Sequence, residues 1–285
     1  MPAPFAPLTT REIEEIDRAN ASGLPPVVFI HGLWLLPSSW DPWRALFEAE
    51  GFTTIAPGWP DDPLTVEEGR ADPDRFAGKS VEGVANHFTL AIDRLERKPA
   101  IIGHSFGGLV AQILAGMGLA SATVAIDPAP FRGVLPLPRS SLKAAWPVIG
   151  RPGNLHQSVM LTPAQFRYAF TNALDEHEAA TLYDTFAVPG SAVPLFQAAT
   201  ANLNPKSELK VATQHPDRGP MKFLSGEKDH TVPWAIANAS FKKQRRNAAV
   251  TEIEELPNRG HSLVIDSGWR EVAQSALDFL GRHLA

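Results

Sequence analysis

The chain has 285 residues, a formal net charge of −5 and a hydrophobic content of 44%. This apolar content is ample for a globular core, and no run approaches the roughly 18 apolar residues that a membrane-spanning helix needs. The absence of cysteine excludes disulfides, thiolate chemistry and cysteine-based zinc sites, and it favours a reducing, cytoplasmic location.

Two segments bear on partners and targeting. The first twenty residues, MPAPFAPLTTREIEEIDRAN, carry an acidic stretch and no apolar core, so they do not form a secretory signal. The basic cluster at residues 242–246 is most simply the solvated end of a helix, where positive charge suits the helix dipole. Neither a nucleic acid nor a membrane is therefore expected as a partner, and the sequence leaves the oligomeric state open.

Short apolar runs alternate with helical patterns along most of the chain. The sequence first predicts a helix from Thr10 to about Arg18, then strands at 27–30 and 53–56 separated by a helix that starts near Ser39. A helix capped by Ser80 and strands at 99–102 and 122–126 follow. The last predicted elements are strands at 221–224 and 250–253 and a final helix. This alternation is typical of an α/β protein, with a mostly parallel central sheet and helices on both faces.

One long segment interrupts the alternation. It shows no strand pattern, but Thr162 opens a capping box with proline at the first helical position, and Asp175 begins another helix. We therefore predict a core domain at 1–130 and 220–285, with a helical lid at 131–219 inserted before the last two strands. Such a lid would cover the carboxyl edge of the sheet. Its aromatic side chains are expected to shape a pocket, although a helical stripe more often forms the core of a lid than a pocket wall: Trp146, Phe166, Tyr168, Phe170 and Phe196.

The sequence Gly103-His104-Ser105-Phe106-Gly107 lies between a predicted strand and a predicted helix. A G-x-S-x-G motif at such a junction forms a sharp turn that presents the serine hydroxyl above the sheet edge. Both glycines are needed because a side chain would clash in this turn. Ser105 is therefore a candidate nucleophile.

A serine hydroxyl needs a base that removes its proton and a third group that orients the base. In this type of fold the order along the chain is serine, acid, histidine. Asp229 and His261 follow the last two predicted strands, so both should lie at the same sheet edge as Ser105. Asp127 also ends a strand and competes for the role of the acid. Its position before Pro128, at the start of the lid, favours Asp229.

Together with His31-Gly32 after the first strand, these motifs make the chain resemble a lid-bearing serine hydrolase of the α/β-hydrolase superfamily. The resemblance is esterase- or lipase-like and covers nearly the whole chain. It implies that Ser105 is the nucleophile, Asp229 the orienting acid and His261 the general base. It also implies that the backbone amides of Leu33 and Phe106 form the oxyanion hole.

The chain departs from the usual pattern of this superfamily in two places. A helix stands where the first sheet strands are expected, and the loop His31-Gly32-Leu33-Trp34 is not the glycine-rich loop of many lipases. Trp34 borders the oxyanion loop and is predicted to bind substrate. His31 and His104 neighbour the site, but we assign them structural roles. A zinc site would need three or four converging ligands, so neither a metal nor a cofactor is predicted.

The sequence thus predicts a serine hydrolase that cleaves a small, largely apolar carboxylic ester or lactone through an acyl-enzyme, with a small-molecule ester as its partner. Three alternatives remain open. The same catalytic residues serve carbon–carbon bond hydrolases and cofactor-free perhydrolases, and a ligand receptor can keep the hydrolase fold while turning over slowly. The physiological substrate is not determined by the sequence.

Overall fold

A parallel sheet of six strands forms the centre of the protein, in the order β2-β1-β3-β4-β7-β8. The computed structural model describes residues 7–284, so residues 1–6 and 285 of the predicted core domain lie outside the described residues. The strands of the sheet are β1 (Pro26–Ile30), β2 (Thr53–Ile55), β3 (Ala100–His104), β4 (Ala122–Ile126), β7 (Met221–Gly226) and β8 (Thr251–Leu256). Two further strands, β5 (Ser158–Val159) and β6 (Gly190–Ser191), form a separate antiparallel pair. The predicted parallel sheet is confirmed.

Helices alternate with the strands and surround the sheet. They are α1 (Thr10–Ser22), α2 (Asp41–Ala49), α3 (Val66–Ala71), α4 (Val81–Ile92), α5 (Phe106–Gly116), α6 (Arg139–Ile149), α7 (Pro163–Ala169), α8 (Glu176–Phe186), α9 (Val193–Thr200), α10 (Trp234–Gln244) and α11 (Trp269–Leu284). Short 3-10 turns lie at Pro37–Trp40, Pro73–Phe76 and Pro152–Asn154.

The core helices form two rows. Helices α1, α4 and α5 contact one another in sequence, and α10 is linked to α5 through the side chains of Gln244 and Gln112. Helices α2 and α11 contact each other. Right-handed crossovers place these two rows on opposite faces of the sheet, because the chain moves in opposite directions through β1–α2–β2 and β3–α5–β4. The central strands β1, β3, β4 and β7 are consequently buried along their whole length.

Several helix ends follow directly from local sequence. The Ser80 hydroxyl accepts a hydrogen bond from the amide of Gly83, as expected of an N-cap. The Thr162 capping box is complete, with the Gln165 side chain bonded back to the Thr162 amide. Helix α1 runs four residues beyond its predicted end and stops where Gly23 takes a left-handed conformation.

The register of the sheet sets where its side chains emerge. Ile30 pairs with Gly103, and Gly103 pairs with Ala125, so β1, β3 and β4 end close to one line. The residues after these ends share the carboxyl edge of the sheet: His31, Ser105 and Asp127. Ligands bind at this edge in parallel α/β folds.

The segment between β4 and β7, residues 127–220, contains α6 to α9 and is called the insertion below. It also contains the β5–β6 pair, which the sequence did not predict because two residues are too few to show a strand pattern. Between residues 7 and 284, no helix is both long and apolar enough to cross a membrane.

Candidate active site

Ser105 stands at the turn between β3 and α5 with φ 57° and ψ −121°, a conformation that is strained for a residue with a side chain. Two glycines make the turn possible. A Cβ atom on Gly103 would lie 2.1 Å from the carbonyl oxygen of Gly107, and one on Gly107 would lie 2.1 Å from that of Ile30. The amide of Ser105 donates to the carbonyl of Ile126, which ties the turn to the neighbouring strand.

Asp229 and His261 meet at the same edge of the sheet. The Nδ1 atom of His261 lies 2.6 Å from Oδ2 of Asp229, and both side chains are buried. The other oxygen of Asp229 accepts hydrogen bonds from the amides of Thr231 and Val232, at 2.6 and 2.9 Å. These bonds fix the carboxylate, which in turn fixes the imidazole. The Nε2 atom of His261 has no hydrogen-bond partner within the described residues and is free to accept a proton.

Asp127 supplies a second carboxyl group beside the same imidazole. Its Oδ2 atom lies 3.9 Å from Nδ1 of His261, whereas its Oδ1 atom accepts the amide of Gly226 at 2.9 Å. Burial, the negative charge of Asp229 and a hydrogen bond to that residue raise the pKa of Asp127 well above its usual value. We therefore interpret Asp127 as a neutral carboxylic acid that donates a hydrogen bond to Asp229.

His104 holds the loop that carries His261. Its Nε2 atom donates to the carbonyl oxygen of His261 at 2.9 Å, and the two rings lie 4.6 Å apart. Burial and the neighbouring His261 lower the pKa of His104 well below its usual value, so the ring is neutral. Because His104 directly precedes Ser105, this contact ties the elbow to the loop that carries His261. The structural role expected of His104 is consistent with this geometry.

His104, Asp127 and His261 each bring one potential ligand atom within 4.8 Å of the others. Two of their ring nitrogens already hold hydrogen bonds, to the His261 carbonyl and to Asp229. We assign the cluster to this hydrogen-bonded network. That no metal is used remains a prediction.

The loop after β1 brings further backbone amides to Ser105. A Cβ atom on Gly32 would lie 2.8 Å from Cβ of Ser105, so only glycine allows the loop to approach this closely. Within residues 7–284, the amides of Leu33 and Phe106 donate no hydrogen bond. Two free amides on either side of a serine are what an oxyanion hole requires.

A buried ionic cluster supports this loop, and no sequence motif indicated it. The Nε2 atom of His31 lies 3.0 Å from Oδ2 of Asp62, and Nζ of Lys79 lies 2.5 Å from Oδ1. The ring of Trp59 stacks on His31 and donates to its carbonyl oxygen. Burial opposes the charge of Asp62, but the His31 hydrogen bond and the Lys79 charge outweigh it and lower the pKa of that carboxyl.

Trp34 connects the loop to the insertion. Its indole Nε1 donates to the carbonyl of Val159 at 2.9 Å, and its own carbonyl accepts the amide of Val188 at 3.1 Å. Its φ of 66° is unusual for a tryptophan. The position of the loop beside Ser105 is thus coupled to the β5–β6 region of the insertion.

A cavity of about 290 Å³ opens beside Ser105. Trp34 and Phe106 line it, together with apolar side chains of the insertion such as Leu142, Ile149 and Leu195. Its lining residues include no Asp, Glu, Lys, Arg or His. Of the five aromatic residues expected to shape a pocket, none lines this cavity, and Trp146 is 65% exposed. Phe166 and Phe170 are instead buried in the core of the insertion, which agrees with the lid-core alternative, because aromatic periodicity alone does not show which face of a helix meets a cavity.

A parallel α/β sheet with a serine on a strand–turn–helix elbow, and with an acid and a histidine at later strand ends, defines an α/β-hydrolase fold. The chain belongs to the alpha/beta hydrolase family, whose sequence model matches residues 27–275. Comparison with curated protein sequences finds no match.

Solved structures with similar folds include three named hydrolases or esterases. A monoacylglycerol lipase of Paleococcus ferrophilus is 21% identical with a TM-score of 0.63, covering 92% of this chain and 96% of its own. An extracellular alpha/beta-hydrolase from a Paenibacillus species is 19% identical, with a TM-score of 0.63. The match covers 89% of this chain and 98% of that protein. Polyneuridine aldehyde esterase is 16% identical, with a TM-score of 0.62. The match covers 90% of this chain and 99% of that protein. At these identities the likeness establishes the fold.

Proposed function

We propose that this chain is a serine carboxylic-ester hydrolase that acts on small, largely apolar esters or lactones. The observation that carries the proposal is the His261–Asp229 pair, in which the Nε2 atom of His261 stays free at the sheet edge that also carries Ser105. An acid-oriented imidazole together with a serine hydroxyl that lines a cavity is the arrangement that activates serine for acyl transfer.

In the proposed reaction, His261 takes the proton of Ser105 as its oxygen attacks the ester carbonyl. The amides of Leu33 and Phe106 stabilise the negative charge that develops on the carbonyl oxygen. His261 then protonates the leaving alcohol, and the acyl group stays on Ser105. Water, deprotonated by His261, attacks this acyl-enzyme and releases the acid. Asp229 stabilises the imidazolium in both halves of the reaction.

The cavity supports the substrate class. Its volume of about 290 Å³ lies at the lower end of the range of ligand pockets, which favours a small substrate. Its polar lining side chains are mostly engaged elsewhere: Asn202 bonds to Val134 and Gly133, and Thr231 bonds to Ala169. Few polar atoms therefore face a bound acyl group. We propose that residues 131–219 serve as a lid over this cavity, as the sequence predicted.

The experiment that tests the proposal is release of p-nitrophenol from acyl esters of increasing chain length, with Ser105→Ala as the matched variant. We expect turnover with an optimum at short or medium chains, and a loss of roughly 10⁴-fold or more in the variant, since removing a nucleophile leaves only background catalysis. Circular dichroism of the variant checks that it is folded.

Two results would contradict the proposal. Full activity in Ser105→Ala would exclude the serine mechanism. An inactive wild-type protein in which a fluorophosphonate still labels Ser105 would instead favour the alternatives. Rapid cleavage of a diketone would then indicate a carbon–carbon hydrolase. Halide oxidation with peroxide would indicate a perhydrolase. Tight ligand binding with one slow turnover would indicate a receptor.

A further inference from the structure

Exposed apolar side chains concentrate at the mouth of the cavity. Of the eleven large apolar side chains that are exposed among the described residues, five form what we call the rim, with the exposed fraction of each in parentheses: Leu135 (75%), Leu137 (67%), Leu142 (38%), Trp146 (65%) and Leu203 (85%). Three of them, Leu135, Leu137 and Leu142, also line the cavity. The rim therefore extends from the lining of the cavity onto the adjoining surface of the protein.

The rim is held together by contacts between its segments. The side chain of Asn202, next to Leu203, donates to the carbonyl of Val134 at 2.9 Å and accepts the amide of Gly133 at 2.6 Å. Leu142 and Trp146 are one turn apart on the exposed face of α6. The opposite face of this helix buries Ala144 and Val148. The apolar rim is thus a fixed surface on a packed helix and its adjoining loops.

The segment that carries four of the five rim residues has charged side chains of one sign only. Residues 128–174 contain no Asp or Glu, although the whole chain carries a net charge of −5. The same segment contains five basic residues: Arg132, Arg139, Lys143, Arg151 and Arg167. Arg139 and Lys143 share the exposed face of α6 with Trp146. The elements that pack most closely on this helix are α7, α9 and the turn at Pro152–Asn154, and none of them contains an acidic residue.

The acidic residues of the insertion lie elsewhere. Four of them belong to α8 or its cap, which packs on α7. Glu208, exposed five residues after Leu203, is engaged by the side chain of Gln197 and the amide of Glu82. The last two are Asp127, buried beside His261, and Asp217, whose carbonyl accepts a hydrogen bond from Lys98. No acidic side chain therefore interrupts the basic face of α6 described above.

We propose that the rim docks on the surface of an anionic lipid layer. Exposed apolar side chains interleaved with Lys and Arg on one helix face are the features by which proteins bind such an interface. The sequence predicted no membrane partner because no run spans a bilayer, but a surface contact needs no span. Since three rim residues are both exposed and part of the cavity lining, an apolar ester could pass from the lipid into the cavity without crossing water. This last step rests on the proposed function, whereas docking itself does not.

Sedimentation with lipid vesicles tests the docking. The probes are vesicles of phosphatidylcholine alone and of phosphatidylcholine with phosphatidylserine in equal amounts. We expect the protein to sediment with the anionic vesicles, less so as salt is added. Arg139→Gln should lower the partition coefficient about five-fold, because one basic residue near such a surface contributes about that factor. Trp146→Ser should lower it at least as much.

Two variants serve as matched controls. Leu64→Ser removes an equally exposed apolar side chain among acidic neighbours, and Arg94→Gln removes an exposed charge at the opposite edge of the sheet. Both should bind vesicles as the wild type does. Neither Trp146 nor Arg139 lines the cavity, so all four variants should hydrolyse a soluble p-nitrophenyl ester at the wild-type rate. Vesicle binding is read without turnover, so failure of the esterase proposal would not disturb it.

Three outcomes would overturn the inference: no sedimentation of the wild-type protein, equal binding to neutral and anionic vesicles, or equal losses in the control variants. Light scattering adds a fourth. A dimer that Trp146→Ser dissociates would mean that a second copy of the chain, not lipid, covers the rim.

Discussion

Two carboxyl groups share one imidazole at the centre of the site. Asp229 makes the short contact to His261, and Asp127 stands 3.9 Å from the same nitrogen. Like charges so close in a buried site cannot both ionise, so one carboxyl keeps its proton. Asp127 is the carboxyl that keeps its proton, because burial and the neighbouring Asp229 raise its pKa, and two backbone amides hold Asp229 in place. Asp127 is then a positioning residue that acts through Asp229.

This arrangement predicts that Asp127 substitutes for Asp229. In Asp229→Asn the neighbouring charge is gone, so the pKa of Asp127 falls and its carboxylate can stabilise the imidazolium of His261. We expect kcat to fall by about 10²–10³, less than the roughly 10⁴ that loss of an orienting aspartate costs elsewhere. Activity of this variant should rise with pH as Asp127 ionises. The measurement is kcat on the best ester as a function of pH.

The double variant supplies the critical comparison. Asp127→Asn alone replaces a neutral acid by a neutral amide of the same shape and should leave kcat within about ten-fold of the wild type. Asp127→Asn combined with Asp229→Asn should lose the full factor of roughly 10⁴. A double variant as active as Asp229→Asn would show that Asp127 does not substitute.

At the scale of elements, one buried arginine joins the end of α10 to the start of β8. Arg218 is fully buried, and its guanidinium donates to the carbonyls of Gln244, Ala249 and Val250 and to the hydroxyl of Thr251, at 2.9–3.1 Å. It has no carboxylate partner within the described residues. Burial accordingly lowers its pKa to about 10, so it remains charged at neutral pH.

Arg218→Met is expected to lower the free energy of unfolding by about 3 kcal/mol or more, because it leaves several buried acceptors without a donor. Arg246→Met, at an exposed position in the same connection, should change it by less than about 0.5 kcal/mol. Urea denaturation of the three proteins measures both effects. Equal stability of the two variants would mean that the carbonyls find other donors.

At the scale of the whole molecule, α1 covers the edge strand β2. The carboxylates of Glu12 and Glu15 accept the amides of Gly58 and Ala56, which follow β2. Glu12 also contacts Nε2 of His87 on α4 at 3.1 Å. An uncovered edge strand would expose unpaired backbone groups. The helix therefore ties the edge of the sheet to one of the layers that cover it.

The stability of the molecule should depend on pH through this contact. Burial favours the neutral form of Glu12, but hydrogen bonds from His87 and from the Thr9 amide prevail and lower its pKa below 4.5. A carboxyl whose pKa is lowered on folding stabilises the protein above its unfolded pKa, and this contribution disappears as pH falls through the folded pKa. Glu12→Gln should therefore be less stable than the wild type near pH 7 and nearly equal to it near pH 3.

Unfolding free energies between about pH 3 and pH 7 measure this difference. Glu14→Gln, on the exposed face of the same helix, serves as the control and should follow the wild type throughout. If the free energies of unfolding of Glu12→Gln and the wild type differ by the same amount at every pH, Glu12 stabilises the protein through packing and not through its charge.

Features determined by neighbouring residues could be predicted from the sequence alone. The glycines around Ser105 fix the elbow because any larger side chain would clash. Ser80 and Thr162 each cap a helix by accepting the amide of the third residue after them. Alternating strand and helix patterns predict a parallel sheet. Because parallel strands end at one edge, the order Ser105, Asp229, His261 already placed all three residues together.

Only the tertiary structure decided which groups touch. Asp127 and Asp229 follow equivalent strand ends, and the choice between them depends on loop conformation and on buried charge, neither of which is encoded locally. The cluster of His31 with Asp62 and Lys79 joins residues distant in sequence. The exposure of Trp146 was equally hidden, because a helical pattern shows that a side is apolar but not whether another element covers it. Long-range packing makes that decision.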